Sequence, residues 1–192
     1  MADYESIVKY LFEAGELKRV KRSGWWMIGV KDPESVAEHC FRSAVIGCIL
    51  GNMEKVDAGK VLMMCLFHDM HESRINDLHK VGHRYIDFRK AEKEVAGEQL
   101  KLLPKELASE VGDAFFKMHG DSSREGSVAK DADLLEAALQ AREYIVSGYA
   151  DAQDWINNIW KCVKTESAKK LLKAIEKGDP NSWWKGLKKI ER

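Results

Sequence analysis

The chain has 192 residues and carries 31 basic against 31 acidic side chains, so its formal net charge is zero. A binder of duplex nucleic acid normally shows a basic excess or stripe, which this balance argues against; a small anionic substrate needs only a local cluster of cations. The length suffices to bury a sizeable core without disulfides, and residues 1–192 are read as one domain.

Helix signals dominate the chain from its start. Tyr4, Ile7, Val8, Leu11 and Phe12 follow helical spacing and form a first amphipathic helix. The same N-terminal stretch, MADYESIVKYLFEAGE, carries acids and does not read as a signal peptide. The segment LKRVKRSGWWMIGVKDPE breaks the pattern, with Gly24, Gly29 and Pro33 marking irregular backbone. Ser35 and Glu38 have capping-box spacing at the entry to a second helix, expected to run to about Leu50. Asp57 can cap a third, whose sequence AGKVLMMCLFHD is apolar almost all round and therefore central.

After Asp77 the chain is polar and loop-like through KVGHRY. Helices are then expected over 86–102, 104–118, 127–147, 151–164, 166–177 and 181–190, with turn chemistry from Gly120 to Gly126. The fold class is all-α, a single helical bundle. No segment approaches the ~18 consecutive apolar residues of a membrane span. Cys40, Cys48, Cys65 and Cys162 include no C-x-x-C pair and are read as buried free thiols of a cytoplasmic protein.

Chemistry concentrates at the end of the central apolar run. His68 and Asp69 are adjacent metal-ligand types projecting near the C-terminus of a core helix, and His39 falls one turn inside the capped second helix. Asp133 sits among Ala129, Ala132, Ala137 and Ala138, small residues that let helices approach closely. An unpaired carboxylate on such a face is costly, which favours a cationic partner. Two imidazoles and two carboxylates suit one borderline divalent ion, Mn, Co, Fe, Ni or Zn. Each residue also has a plainer role: His39 as a hydrogen-bonded core histidine, Asp133 paired with Lys130, Glu72 as a solvated helix-end charge.

The order H…HD…D resembles the HD-domain metal-dependent phosphohydrolases, and within them the 5′-deoxynucleotidases. RSGW at Arg22–Trp25, PESVAEH at Pro33–His39, FHDMHE at Phe67–Glu72, NDLHK at Asn76–Lys80, and KDAD with LQAREY across Lys130–Tyr144 carry the likeness. It covers roughly residues 4 to 150. The resemblance implies that His39, His68, Asp69 and Asp133 hold the metal. Its K-x-x-D pattern selects Asp133 and leaves Asp131 as an exposed helix charge. It further implies acid/base work for Glu72, a second essential carboxylate in Asp77, and a pocket wall in Trp25 that favours deoxyribose. The implied assembly is a homodimer, and the charge balance and lack of a long apolar run lead us to expect no nucleic-acid or membrane partner.

The chain departs from the family pattern in places. Asn76 stands where Gly is frequent, a change in backbone freedom. Gly24, rather than arginine, precedes Trp25, so Arg22 becomes the candidate phosphate contact, with Arg19 and Lys21 as rivals. His119 is either a surface residue near a helix end or a ligand of a second metal, while His71, His79 and His83 fall outside the ligand pattern.

In mechanistic terms, Glu72 follows Asp69 by three residues and His68 by four, which in a continuing helix places it on the metal-facing side. From there it would orient or deprotonate water, or protonate a departing 5′ oxygen. Trp25 or Trp26 would pack on sugar or base, or close the core with Val30 and Val36. The expected activity is hydrolysis of (deoxy)ribonucleoside 5′-monophosphates to nucleoside and phosphate, deoxy preferred. Competing readings are a phosphodiesterase, a nucleoside-triphosphate hydrolase, or a non-catalytic nucleotide-binding domain.

Overall fold

A computed structural model describes residues 3–120 and 123–187. In it Ser35 forms the expected capping box: its hydroxyl accepts from the Glu38 amide at 3.3 Å, and the Glu38 carboxylate accepts from the Ser35 amide at 2.6 Å. This reciprocal bonding satisfies amides that the first helical turn leaves unpaired. Helix α2 then runs Val36–Met53, after α1 at Tyr4–Glu16. The Asp57 carboxylate accepts from the Lys60 amide and opens α3, Ala58–Phe67.

The remaining helices are α4 (Glu72–Ile75), α5 (Phe88–Leu100), α6 (Lys105–Gly120), α7 (Arg124–Val146), α8 (Gln153–Cys162) and α9 (Glu166–Lys177). Short 3₁₀ turns lie at Ser23–Ile28, Gly82–Arg84 and Ala150–Ala152. The described residues form no regular strand, only an isolated antiparallel bridge between Lys21 and Ser35. That bridge belongs to a short ladder in which the Arg22 amide donates to Glu34 O and the Val36 amide to Val20 O. It fixes the Arg22 segment beside the start of α2.

Helix α2 lies against α3 and α7, while α3 also packs on α6 and α7; α7 in turn supports α8 and α9. Small residues make the α2–α3 contact close. A Cβ on Gly47 would come within 2.8 Å of Cys65 Sγ, and one on Gly51 within 2.8 Å of Ala58 Cα. On α7, Ala129, Ala132, Ala138 and Ala141 are fully buried, so that helix also packs closely along one face.

Four expectations are corrected here. The helix expected over 181–190 is a series of turns up to residue 187, and 188–192 lie outside the described residues. Cys162 is exposed and Cys48 half-buried, so the buried-thiol reading holds for Cys40 and Cys65 alone. The 151–164 span divides into the Ala150–Ala152 turn and α8. Asp131 is buried rather than exposed: its carboxylate accepts from the Lys164 and Thr165 amides, at 3.0 and 2.7 Å. Its job is to hold the turn that leads into α9, a tertiary partnership distant in sequence.

Candidate metal centre

Three helical elements deliver side chains to one buried point. His39 from α2 places Nε2 3.0 Å from Asp133 Oδ1 on α7 and 3.8 Å from Asp69 Oδ2. His68, the residue capping α3, places Nε2 3.1 Å from Asp69 Oδ2 and 3.7 Å from Asp133 Oδ1. The two Nε2 atoms are 3.4 Å apart. His39, His68 and Asp69 are buried, and Asp133 is partly open.

Each ring is oriented from behind. The His68 Nδ1–H donates to the Cys65 carbonyl at 2.9 Å, a bond built into the end of α3. The His39 Nδ1–H donates to Glu136 Oε2 at 2.5 Å, and both side chains are fully buried. Glu136 was not anticipated from the sequence. Its spacing of three from Asp133 on α7 was the available signal, since residues three apart share a helix face.

The electrostatics describe a place built for positive charge. Burial and Arg22 oppose protonating His39, yet Glu136 and Asp133 carry it up to about 9. Burial likewise opposes His68, but Asp69 and Asp133 raise it well above the ordinary histidine value. Burial would raise Asp133, and the hydrogen bonds from His39 and His68 instead hold it well below the carboxylate range. Protons on the two imidazoles thus neutralise carboxylates that a divalent ion would otherwise satisfy, and metal binding would release those protons. Ligand atoms of His39, His68 and Asp69 all lie within 4.8 Å of one another, and the N/O donor set fits a borderline divalent ion.

Glu72 arrives beside this cluster by a different route from the one its spacing suggested. Helix α3 stops at Phe67, and the chain continues through i→i+3 bonds, with the Glu72 amide donating to Asp69 O at 3.0 Å. In such a tight turn residues three apart eclipse, so Asp69 and Glu72 share a row. Glu72 is buried, its Oε2 has no hydrogen-bond partner, and burial followed by Asp69 and Asp77 raises its pKa well above the carboxylate range.

Asp77 follows Asn76, whose backbone sits at φ 62°, ψ 166°. This region is nearly exclusive to glycine, so Asn here carries strain. The Asp77 carboxylate accepts from the Ser23 amide at 2.5 Å and lies 3.4 Å from Arg22 Nη1. Arg22 Nη1 is also 3.4 Å from Asp69 Oδ2.

A cavity of about 180 Å³ opens over the cluster, lined by Arg22, His68, Asp69, His119, Lys130 and Asp133, with Met118 beside them. Of the three candidate cations Arg22 lines it. Arg19 instead pairs with Glu16 on the surface, and Lys21 pairs with Asp32 along a separate groove. That groove is larger, about 500 Å³, but none of the histidines lines it.

Trp25 is buried, stacked on Trp155 with 4.8 Å between ring centroids, and its indole N–H donates to Glu34. Trp25, Val30 and Val36 do close the core, whereas Trp26 is half exposed. His119 sits at the exposed end of α6, on the cavity wall, with Nδ1–H donating to Phe115 O. His71 is buried among Phe88, Phe115 and His119, and burial lowers it to about 4, so it is neutral.

An all-α bundle that brings two imidazoles and two carboxylates to one buried point beside a small cavity has the makings of a metal site. The family model for the HD domain matches residues 14–176, and the chain belongs to that family. The chain is therefore a phosphohydrolase of this fold. It is 31% identical over 140 residues to the human protein named 5′-deoxynucleotidase HDDC2, covering 72% of this chain and 68% of the relative. The Dictyostelium discoideum protein of the same name is 34% identical, with 68% of this chain and 73% of the relative covered. A conserved hypothetical protein from Pyrococcus furiosus, of known structure, superposes with a TM-score of 0.73 at 27% identity, covering 89% of this chain and 99% of the other.

Proposed function

We propose that this chain is a 5′-deoxynucleotidase, a phosphomonoesterase that converts deoxyribonucleoside 5′-monophosphates to nucleoside and phosphate. The observation that carries the reading is the buried convergence of His39, His68, Asp69 and Asp133 beside Glu72, whose Oε2 is unpartnered. Those first four residues would hold one divalent ion, with Mn, Co, Fe, Ni and Zn all compatible. When bound, the ion supplies Lewis acidity that neutralises phosphoryl charge and makes water more acidic.

The chain's own groups do the remaining work. Arg22 clamps the phosphate through charge-assisted hydrogen bonds. Its position between Asp69 and Asp77 supports this, because an incoming phosphate would meet a guanidinium already pointing at the cavity. Water adds to phosphorus as the bond to the 5′ oxygen breaks; Glu72 passes its proton to that oxygen and, left as a carboxylate, takes up the proton the water sheds. Burial, followed by Asp69 and Asp77, favours the protonated form of Glu72 in the metal-free site. Asp77, fixed by the Ser23 amide, faces the sugar end. Trp25, buried against Trp155 and outside the cavity lining, would favour deoxyribose only indirectly, through the Ser23–Ile28 turn it anchors. A cavity of about 180 Å³ takes the phosphoryl end, leaving sugar and base at the mouth.

The whole chain works as one domain, in the cytoplasm, and four free cysteines support a reducing compartment. It assembles as a homodimer with no nucleic-acid or membrane partner. The outer face of α2 supports this assembly, since Phe41, Val45, Ile49 and Met53 stand exposed at four-residue spacing.

Phosphate release from a panel of nucleoside 5′-monophosphates, assayed with Mn²⁺ or Co²⁺, tests the proposal. We expect turnover of dAMP or dGMP above the ribonucleotides. Glu72→Ala should retain metal and lose roughly 10²–10⁴-fold in rate. No release with any divalent ion contradicts the function, and unaltered turnover in the variant removes Glu72 from the chemistry.

A further inference from the structure

We propose that Glu136, backed by Arg42, is the positioning residue that keeps His39 Nε2 turned into the metal pocket. This inference rests on the metal reading of the site and concerns residues outside the ligand set.

An imidazole can present either nitrogen to a metal, and which one it presents is fixed by the hydrogen bond the other makes. His39 is fully buried, so no water is at hand to make that choice. Its Nδ1–H donates to Glu136 Oε2, leaving Nε2 as the nitrogen that faces Asp133, His68 and Asp69. Glu136 is itself fixed. Arg42 Nε and Nη2 lie 2.8 and 2.7 Å from its Oε1, and the same guanidinium donates to Gln140 and Glu143.

The arrangement makes α7 grip both sides of one ring. Asp133 addresses Nε2, and Glu136, one turn later, addresses Nδ1. The contrast with His68 is informative. Its Nδ1–H is held by the Cys65 backbone carbonyl, a partner no side-chain substitution removes. His39 has no carbonyl in that place, and a buried carboxylate with its own arginine performs the task. A fully buried carboxylate such as Glu136 is costly to desolvate, and pairing it with the partly exposed Arg42 adds little stability over well-packed apolar residues. A role in orienting a ligand accounts for its presence; packing alone does not.

The test uses the full-length protein stripped by a chelator and titrated with Zn²⁺ against a chromophoric competitor. Glu136→Gln should keep a cooperative thermal transition while binding Zn²⁺ roughly 10–100-fold more weakly than wild type. A second measurement needs no variant: nitrogen-resolved NMR of the zinc-loaded wild type should show a slowly exchanging proton on His39 Nδ1. A folded Glu136→Gln variant with wild-type zinc affinity overturns the proposal, as does a His39 Nδ1 without a proton. A wild type that binds no Zn²⁺ overturns the metal reading as well. Equal affinities in two zinc-binding proteins overturn only the role of Glu136.

Discussion

The α2–α3–α7 core and the 68–87 segment meet at the same cavity but are held by different physics. In the core, His39 and Asp133 stand on long helices pressed together by Gly47, Gly51 and the alanines of α7. Position there follows from packing, which is stiff because interiors are close-packed. The 68–87 segment is anchored in apolar surroundings chiefly through the buried Met70 and the His71 ring. Its one short helix, α4, is held by polar contacts: Arg74 pairs with Glu13 and Glu98, and the Gln99 amide donates to Met70 O, Ser73 Oγ and Glu13. The metal-ligand types are thus shared, His39 and Asp133 on the rigid side and His68 and Asp69 where α3 hands over to the segment, while the proton-handling types, Glu72 and Asp77, lie wholly on the adjustable side. The lesson is a division of labour: the core fixes one pair of ligands, and the segment brings the other pair together with the acids.

The largest expected effect comes from Asp69, the carboxylate that meets both His68 and Arg22. Asp69→Asn should abolish tight divalent binding, a greater loss than the roughly 10–100-fold typical of removing a residue that only supports a ligand. Metal-binding titration measures it, and near-wild-type affinity would mean that Asp69 belongs with the acids alone. Next in size, Gly51→Ala forces a Cβ against the Ala58 backbone and should cost about 1–3 kcal/mol of stability. Denaturant unfolding checks this, and an unchanged midpoint would show that the α2–α3 contact yields easily.

The smallest effect sharpens the description of the adjustable side. Asn76→Gly relieves a backbone conformation that only glycine adopts comfortably, offset by the entropy glycine adds to the unfolded chain. A gain of about 1 kcal/mol is expected, read as a raised Tm. A lowered Tm would show that the Asn76 side chain does more than occupy the turn.

What the residues reveal in advance follows the same division. Ser35, Glu38 and Asp57 announce α2 and α3 because capping is a local, short-range chemistry. Two of the three ligand-bearing stretches are legible for that reason, whereas α7, capped by Ser123, begins three residues before the expected 127. Asp131 was misjudged because its partners, the Lys164 and Thr165 amides, lie over thirty residues away and leave no mark on its own helix. Helix α4 is a single turn stabilised from outside, too short for any periodicity to show. Glu72 is expected to share a helical face with His68 and Asp69, but the helix ends at Phe67 and a tighter turn brings it over Asp69 instead. Glu136 was missed although its helical register with Asp133 was visible, because a carboxylate on a helix more often faces solvent.

The most direct test is anomalous diffraction from crystals of the protein soaked in manganese. A single peak per chain, bounded by the side chains of His39, His68, Asp69 and Asp133, is the result this account requires. Density for the ion elsewhere, or those four side chains turned away from one another with no peak between them, would contradict it.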